Sequence, residues 1–371
     1  MRYNLIMRVA ILHDYLNQFG GAERVLIALL EIFPNADLYT LLYDERKTFG
    51  FFKKNIKRTS FLDIPFVRAR HRAFIPLMPL AVSSVRGVGD YDLVISSTAG
   101  YAKGMPIRAP FHISYCHSPL RYAWEIDYLK NLEISPWPLH KSVLHPIAKW
   151  LRGWDKRASR SVNLFIANSK YIAEKIRSYY GRDSVVVYPP VDEKIFYPEP
   201  KAARKDYYLM VGRLLYYKGF DLGIRAFNKL KKPLKIVGSG PEIDKLRAIA
   251  DPNYIEFIPF LGDDELRRVY SDAKALIFPQ IEDFGLVAAE ALSCGTPVIA
   301  YNQGGGREIV QHRETGFLFN EQSVPALQEA VRDFEAISFD RAHIVRAAKR
   351  FSKEVFRNEI KKIVKENGYE V

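Results

Sequence analysis

From residue 8 to residue 190 the chain alternates short runs of consecutive apolar residues with stretches whose apolar positions recur at helical spacing. Strands buried on both faces show such continuous runs, and strands separated by helices pair in parallel. The runs are RVAILHDY (8–15), DLYTLLY (37–43), YDLVISS (91–97), HISYCHS (112–118), NLFIANS (163–169) and SVVVYPP (184–190). GAERVLIALLEIF (21–33) and SKYIAEKIRSYY (169–180) read as amphipathic helices, the second opened by a Ser169 N-cap and closed at Gly181. A second series follows YPPVDEKIFYPEPKAARKD (188–206), whose four prolines and many charges predict a linker. In it DYYLMVGRL, PLKIVGSG, YIEFIPFLG, AKALIFPQ and TPVIAYN each precede a helix, and the last 40 residues read as two or three amphipathic helices. The expected class is therefore α/β, with two doubly wound, Rossmann-like halves facing a cleft. Ligands of such sheets bind at the carboxyl ends of the strands, so chemistry is expected in the loops that follow strands.

Composition supports two ordinary globular domains: 371 residues, 48% hydrophobic and 26% charged. The two cysteines, Cys116 and Cys294, lie far apart in apolar surroundings and read as small buried side chains in a reducing compartment. Asp14 and Gln18 interrupt the apolar N-terminus, so no signal peptide is expected, and no apolar stretch is long enough for a transmembrane helix. Met7, at the head of a cleaner strand, competes with Met1 as the natural start.

The net charge of +13 is unevenly spread. Between Lys53 and Arg86 lie eight Lys/Arg and one acid, Asp63, interleaved with FLDIPFV and AFIPLMPLAV. Basic and apolar residues together suit a surface that lies on anionic lipid, and they equally suit a long basic surface loop. No nucleic-acid motif accompanies the charge, so nucleic acid is not expected as a partner.

Three motifs follow strands of the second half. In VGRLLYYKG (211–219), Gly212 turns the chain out of the strand and Arg213 and Lys218 project from one loop. Two cations beside a helix start suit a diphosphate, though two solvated side chains would read the same. In VGSGPE (237–242) the glycines permit close backbone approach, though a plain strand-to-helix turn would read the same. In IEDFGLVAAEALSCGTPVIA (281–300), Glu282 falls in a loop, Phe284, Gly285 and Leu286 open a helix, and Glu290 lies in its second turn. Two carboxylates on different elements are not an acid/base pair, and no histidine or acidic cluster nearby makes them metal ligands. Asp90-Tyr91-Asp92 carries the D-x-D pattern that holds metals elsewhere, but here it opens an apolar strand.

The 282–300 stretch resembles the E-x7-E signature of retaining glycosyltransferase family 4. GGAERV (20–25), GRLLYYKG, GSGP, FLG and GGGREIV…ETGFL (304–318) resemble further family motifs in the family's order, and YCHSPLRYAWE (115–125) is similar to bacterial polysaccharide mannosyltransferases. The resemblance implies a GT-B fold: an acceptor-binding domain over 1–190, a nucleotide-sugar domain over 191–350, and a C-terminal helix, 351–371, packing back on the first. It implies transfer of a hexosyl group with retention, most simply mannose from GDP-mannose, to a glycan or lipid-linked saccharide in cell-surface polysaccharide synthesis. Glu282 would contact the transferred sugar and Glu290 the ribose; Phe284, Gly285 and Leu286 would flank sugar and phosphate. Arg213 and Lys218, beside Gly212, would clamp the diphosphate. Gly238 and Ile258–Leu261, Phe260 among them, would lie near the base. Gly20 and Gly21 would approach the donor phosphate and acceptor, and His117 would face the reaction centre. His13, also at a strand end, reads as structural. No metal and no cofactor beyond the donor is implied, and the expected place is the cytoplasm, at the inner face of the plasma membrane. The rival readings are a UDP-sugar transferase, a nucleotide-sugar epimerase or phosphorylase of similar fold, a non-catalytic binder, and a nucleic-acid-binding protein.

Overall fold

The computed structural model describes residues 7–125, 141–200 and 204–370. The chain forms two compact units, Met1–Tyr188 with Arg357–Val371, and Pro189–Phe356.

The first unit is built on seven parallel strands: β1 Val9–Leu16, β2 Asp37–Tyr43, β3 Ile56–Arg58, β4 Leu93–Thr98, β5 Phe111–Cys116, β6 Leu164–Ala167 and β7 Ser184–Val186. Their order is β3-β2-β1-β4-β5-β6-β7. The chain starts mid-sheet and winds outward both ways, which makes the β1/β4 boundary the switch point where a doubly wound sheet opens a crevice. Every residue of β4 is buried, including Ser96, Ser97 and Thr98. Leu12, Tyr39, Met78, Val94 and Leu151 share one core beneath the sheet. Each large apolar side chain buried there stabilises the fold by about 1.5–3 kcal/mol.

Helix Lys170–Tyr180 has the ends its sequence specifies: the Ser169 hydroxyl accepts from the Ile172 amide at 3.0 Å, and Gly181 closes it in the left-handed region. Strand β3 is not foreshadowed by the hydrophobic pattern, because at the sheet's edge IKR is left partly or fully exposed. The basic stretch 53–86 is not a loop. It holds β3, helix Pro65–Arg70, a 3-10 turn over His71–Leu77, and helix Met78–Ser84, anchored by buried Val67, Ile75, Met78 and Val82. From Arg357 onward the C-terminal helix Lys353–Glu366 counts with this unit. Arg357 lies 3.6 Å from the Glu31 carboxylate, and Tyr369 packs on Phe111.

The second unit repeats the plan with six parallel strands: β8 Tyr208–Val211, β9 Leu234–Val237, β10 Ile255–Ile258, β11 Ala275–Phe278, β12 Val298–Tyr301 and β13 Gly316–Phe319. Their order, β10-β9-β8-β11-β12-β13, sets the switch point between β8 and β11. Strand β13 escapes the sequence pattern because it begins with glycine, which leaves only three apolar side chains in the run. The described part of the presumed linker is largely bonded into this unit. Val191 bridges Ser352, Asp192 pairs with Lys353 at 3.1 Å, and the buried Phe196 ring meets Tyr270.

Candidate functional site

At the carboxyl end of the second sheet, four loops close on one another. The loop after β8 leaves through Gly212, whose amide donates to Val237 O at 3.0 Å. The loop after β9 packs directly on it: a side chain at Gly238 would place its Cβ 2.0 Å from Gly212 O, and φ there is +143°. The VGSG glycines are thus required by the meeting of two turns. The loop after β12 is seated the same way on the loop after β11. Gly305 N donates to Glu282 O at 2.9 Å, and a Cβ at Gly305 would fall 1.8 Å from Phe284 O.

Lys218 ends the short 3-10 turn Tyr216–Lys218, just before helix Phe220–Leu230. Glu282 stands in the loop after β11. Their side chains form an ion pair, and both are mostly buried. The Lys218 ammonium also lies 5.5 Å from the Tyr217 ring centroid. The pair therefore joins the two loops that flank the switch point, a lysine and a carboxylate that sequence reasoning placed on different parts of a donor. Arg213 is exposed on the same β8 loop. Gly285, at φ +101°, precedes helix Leu286–Ser293, and Phe284 is buried against Phe351.

Glu290 lies within that helix and is only 7% exposed, its carboxylate accepting from the Tyr270 hydroxyl at 3.1 Å. Burial, with the Glu290 charge adding to it, pushes the Cys294 thiol up to about 12. Phe260, beyond β10, is 78% exposed. The structure thus gathers Gly212, Arg213, Lys218, Gly238, Glu282, Phe284, Gly285 and Leu286 into loops at one sheet end. Glu290 is in the helix beneath, and Phe260 is on an outer turn.

In the first unit, Gly20 caps helix Gly21–Ile32 in the loop after β1, and His117 is the first residue past β5. The His117 amide donates to Thr98 O at 2.8 Å, and its carbonyl accepts from Asn168 Nδ2 at 3.0 Å. Its Nε2 lies 2.8 Å from Ser97 Oγ. Asp14, at the end of β1, holds the loop after β4. Its carboxylate accepts from the Tyr101 amide at 3.0 Å and the Thr98 hydroxyl at 3.1 Å, and also from the Ala99 and Ala102 amides. Sequence reasoning missed Asp14 and Ser97, and it set His13 aside. Their partners lie about 84 residues away, and only strand register brings them together. Of the D-x-D pair, Asp92 accepts from the Arg8 amide at 2.7 Å, at the amino ends of β1 and β4, and Asp90 is exposed.

Comparison with known proteins agrees with this architecture. The family described as Glycosyltransferase Family 4 matches residues 19–194, and the one described as Glycosyl transferases group 1 matches residues 191–351. A GDP-mannose-dependent alpha-(1-6)-phosphatidylinositol monomannoside mannosyltransferase of Mycobacterium tuberculosis is 33% identical over 211 residues, 49% of this chain and 54% of that protein. A D-inositol 3-phosphate glycosyltransferase of Mycobacterium sp. is 34% identical over 182 residues, 43% of this chain and 42% of the relative. This chain spans about half the length of the curated relatives it matches. Among solved structures, Anabaena HepE in complex with UDP and glucose superposes with a TM-score of 0.68 at 19% identity, over 97% of this chain and 99% of that one. Sucrose-phosphate synthase from Thermosynechococcus elongatus does so with a TM-score of 0.70 at 19% identity, over the same shares. These likenesses establish the GT-B fold.

Proposed function

The chain belongs to glycosyltransferase family 4, and on that premise we propose that it moves a hexosyl group from a nucleotide sugar to a hydroxyl of a glycan or lipid-linked saccharide. The observation that carries the reading is the Lys218–Glu282 pair across the switch point of the second sheet. In a doubly wound sheet this is where a nucleotide binds. With no donor present the two charges neutralise each other. With donor, Lys218 turns to the diphosphate beside Arg213, and Glu282 accepts from a hydroxyl of the sugar. Glu290, one turn into the helix, is assigned the ribose, and the backbone of Phe284–Leu286 the phosphate side. Gly20, Gly21 and His117 are likewise assigned a part in the reaction.

In the proposed reaction the bond from the anomeric carbon to the diphosphate oxygen breaks, and a bond from that carbon to the acceptor oxygen forms on the same face. The acceptor proton passes to the departing diphosphate. Retention then needs no carboxylate nucleophile, unlike the double displacement of retaining glycosidases. It needs stabilisation of charge growing on the leaving group. Charge-assisted hydrogen bonds contribute about 1.5–3 kcal/mol each. Two that strengthen in the transition state supply about 3–6 kcal/mol, or about 10²–10⁴ in rate. Arg213 and Lys218 take this role in place of a divalent ion.

For the donor we favour GDP-mannose, the cosubstrate in the name of the Mycobacterium tuberculosis relative. The UDP seen in the HepE structure keeps a UDP-sugar as the second reading. A thermal-shift panel of GDP-, UDP- and ADP-sugars decides between them. At about 100 times its Kd the true donor stabilises the protein by about 2.7 kcal/mol. No shift with any of the three classes contradicts a nucleotide-sugar site.

We further assign the first unit's basic stretch 53–86, extended by the flanking residues 49–52 and 87–88, to an anionic membrane surface. Among the described residues, more than half of the exposed large hydrophobic side chains fall here: Phe49, Phe51, Phe61, Ile64, Phe66, Leu77, Leu80 and Val88. Phe49 and Phe51 both pack on Phe19 with ring centroids 5.6 Å apart, and Arg70 lies over Phe66 at 5.3 Å. Short helices that carry Phe66, Leu77 and Leu80, with turns that carry Phe49, Phe51, Phe61, Ile64 and Val88, present apolar side chains among lysines and arginines, which suits the interface. No described helix is long and apolar enough to cross a membrane.

A further inference from the structure

At the switch point of the first unit, four polar side chains from four different elements stand in line. Glu23 comes from helix Gly21–Ile32, His13 from β1, Ser97 from β4, and His117 from just beyond β5. A Glu23 carboxylate oxygen lies 3.9 Å from His13 Nε2. His13 Nδ1 lies 3.3 Å from Ser97 Oγ, and Ser97 Oγ lies 2.8 Å from His117 Nε2. Glu23, His13 and Ser97 are 2%, 3% and 0% exposed. Strand register makes the line possible: His13 pairs with Ser97 in the β1/β4 ladder, and Ser97 pairs with Tyr115, two residues before His117.

Burying two polar side chains on central strands and a carboxylate on the adjoining helix costs free energy that apolar residues would not incur. Leu12, Val94 and Ile95 on the same strands are apolar and equally buried, while the polar neighbours Asp14 and Thr98 bond to each other and not to this line. Their common terminus is His117. We infer that Glu23, His13 and Ser97 are positioning residues that fix the ring orientation and tautomer of His117. The inference rests on the reading of His117 as a group facing the transferred sugar.

The order of protons follows from charge and valence. A carboxylate beside His13 Nε2 favours the proton on that nitrogen, which leaves Nδ1 of the neutral ring as an acceptor. Ser97 has one hydroxyl proton and gives it to Nδ1. Its lone pair then accepts the Nε2–H of His117. His117 then carries its proton on Nε2, the tautomer in which Nδ1 is the acceptor nitrogen. The same carboxylate lies beside the glycine loop: a Cβ at Gly20 would be 3.4 Å from Glu23 Oε2.

The test uses the full chain labelled with 15N-histidine, read by long-range proton–nitrogen correlation without ligand, and turnover of GDP-mannose and UDP-glucose. The expected wild-type signal of His117 is the Nε2–H tautomer. Ser97→Ala should shift it toward a mixture, and Glu23→Gln, which keeps the shape but not the charge, should do so in part. With either variant kcat should fall about tenfold while KM stays within about twofold, because orientation and not binding is lost. An Nδ1–H tautomer in the wild type, or one that neither substitution moves, overturns the inference. Undiminished turnover in His117→Ala overturns instead the reading of His117 on which it rests.

Discussion

Lys218 and Glu282 are 64 residues apart in sequence, yet they close an ion pair between the two loops that flank the β8/β11 switch point. Both side chains are mostly buried, so the pair is screened less than a surface salt bridge. In the nucleotide-free protein a double-mutant cycle of Lys218→Ala and Glu282→Ala should give a coupling of about 1 kcal/mol in unfolding free energy. With the donor nucleotide bound, Lys218 engages phosphate, and the coupling should drop toward zero. A coupling equal in both states would show that the pair is purely structural.

The loops of the second unit meet backbone to backbone, so two glycines there tolerate no side chain. Gly238→Ala would force a Cβ to 2.0 Å from Gly212 O at φ +143°, and Gly305→Ala would put one 1.8 Å from Phe284 O. Each substitution should destabilise the protein by about 3 kcal/mol or more and abolish the thermal shift given by the donor. Alanine variants with wild-type Tm and wild-type donor response would refute the loop packing.

Acid should weaken the protein in two separable windows. Burial pushes the imidazole of His112 down to about 4, where its Nε2 lies 3.0 Å from Ser96 Oγ. A histidine kept neutral in the fold takes up its proton sooner when unfolded. Its contribution is therefore complete above about pH 6.5 and is lost as pH falls from there to about 4. Glu335 differs. Burial alone would raise its carboxyl, but hydrogen bonds from Lys274, Lys232 and the Tyr208 hydroxyl hold it down at about 2. Its contribution is present above about pH 4.3 and disappears toward pH 2. Urea unfolding against pH should show His112→Gln flattening the upper window and Glu335→Gln the lower. The same slopes in wild type and both variants would contradict these assignments.

Membrane attachment through the 49–88 region makes its own demand. Phe49→Ser with Phe66→Ser should weaken binding to vesicles rich in anionic lipid at least about tenfold, and added salt should weaken it further. The secondary structure and turnover on a soluble acceptor should stay unchanged. Equal binding to neutral vesicles, or none to anionic ones, would exclude this surface.

The parallel α/β plan was legible because buried strands are continuous apolar runs, and DLYTLLY marks β2 residue for residue. Of the four described edge strands, β7 and β10 were legible, and β3 and β13 were not. IKR in β3 carries two charges because an edge strand faces solvent, and the glycine that opens GFLF in β13 shortens its apolar run to three side chains. The site was legible where chemistry is local, as in Arg213 and Lys218 on one loop. The partnership of Lys218 with Glu282 and the line from Glu23 to His117 were not legible, since strand order and register create them. The glycines of VGSG were noticed, but their cause is a neighbouring turn that no local pattern reveals.

The most direct test of the central claim is steady-state turnover of GDP-mannose, with UDP-glucose in parallel, by the wild type and by Arg213→Ala, Lys218→Ala and Glu282→Gln. The account predicts release of nucleotide diphosphate by the wild type, and a product whose anomeric configuration matches the donor. It predicts kcat lower by at least about 10²-fold in both cation variants, and loss of transfer with the nucleotide still bound in Glu282→Gln. Wild-type turnover that survives within about threefold in both Arg213→Ala and Lys218→Ala would contradict it.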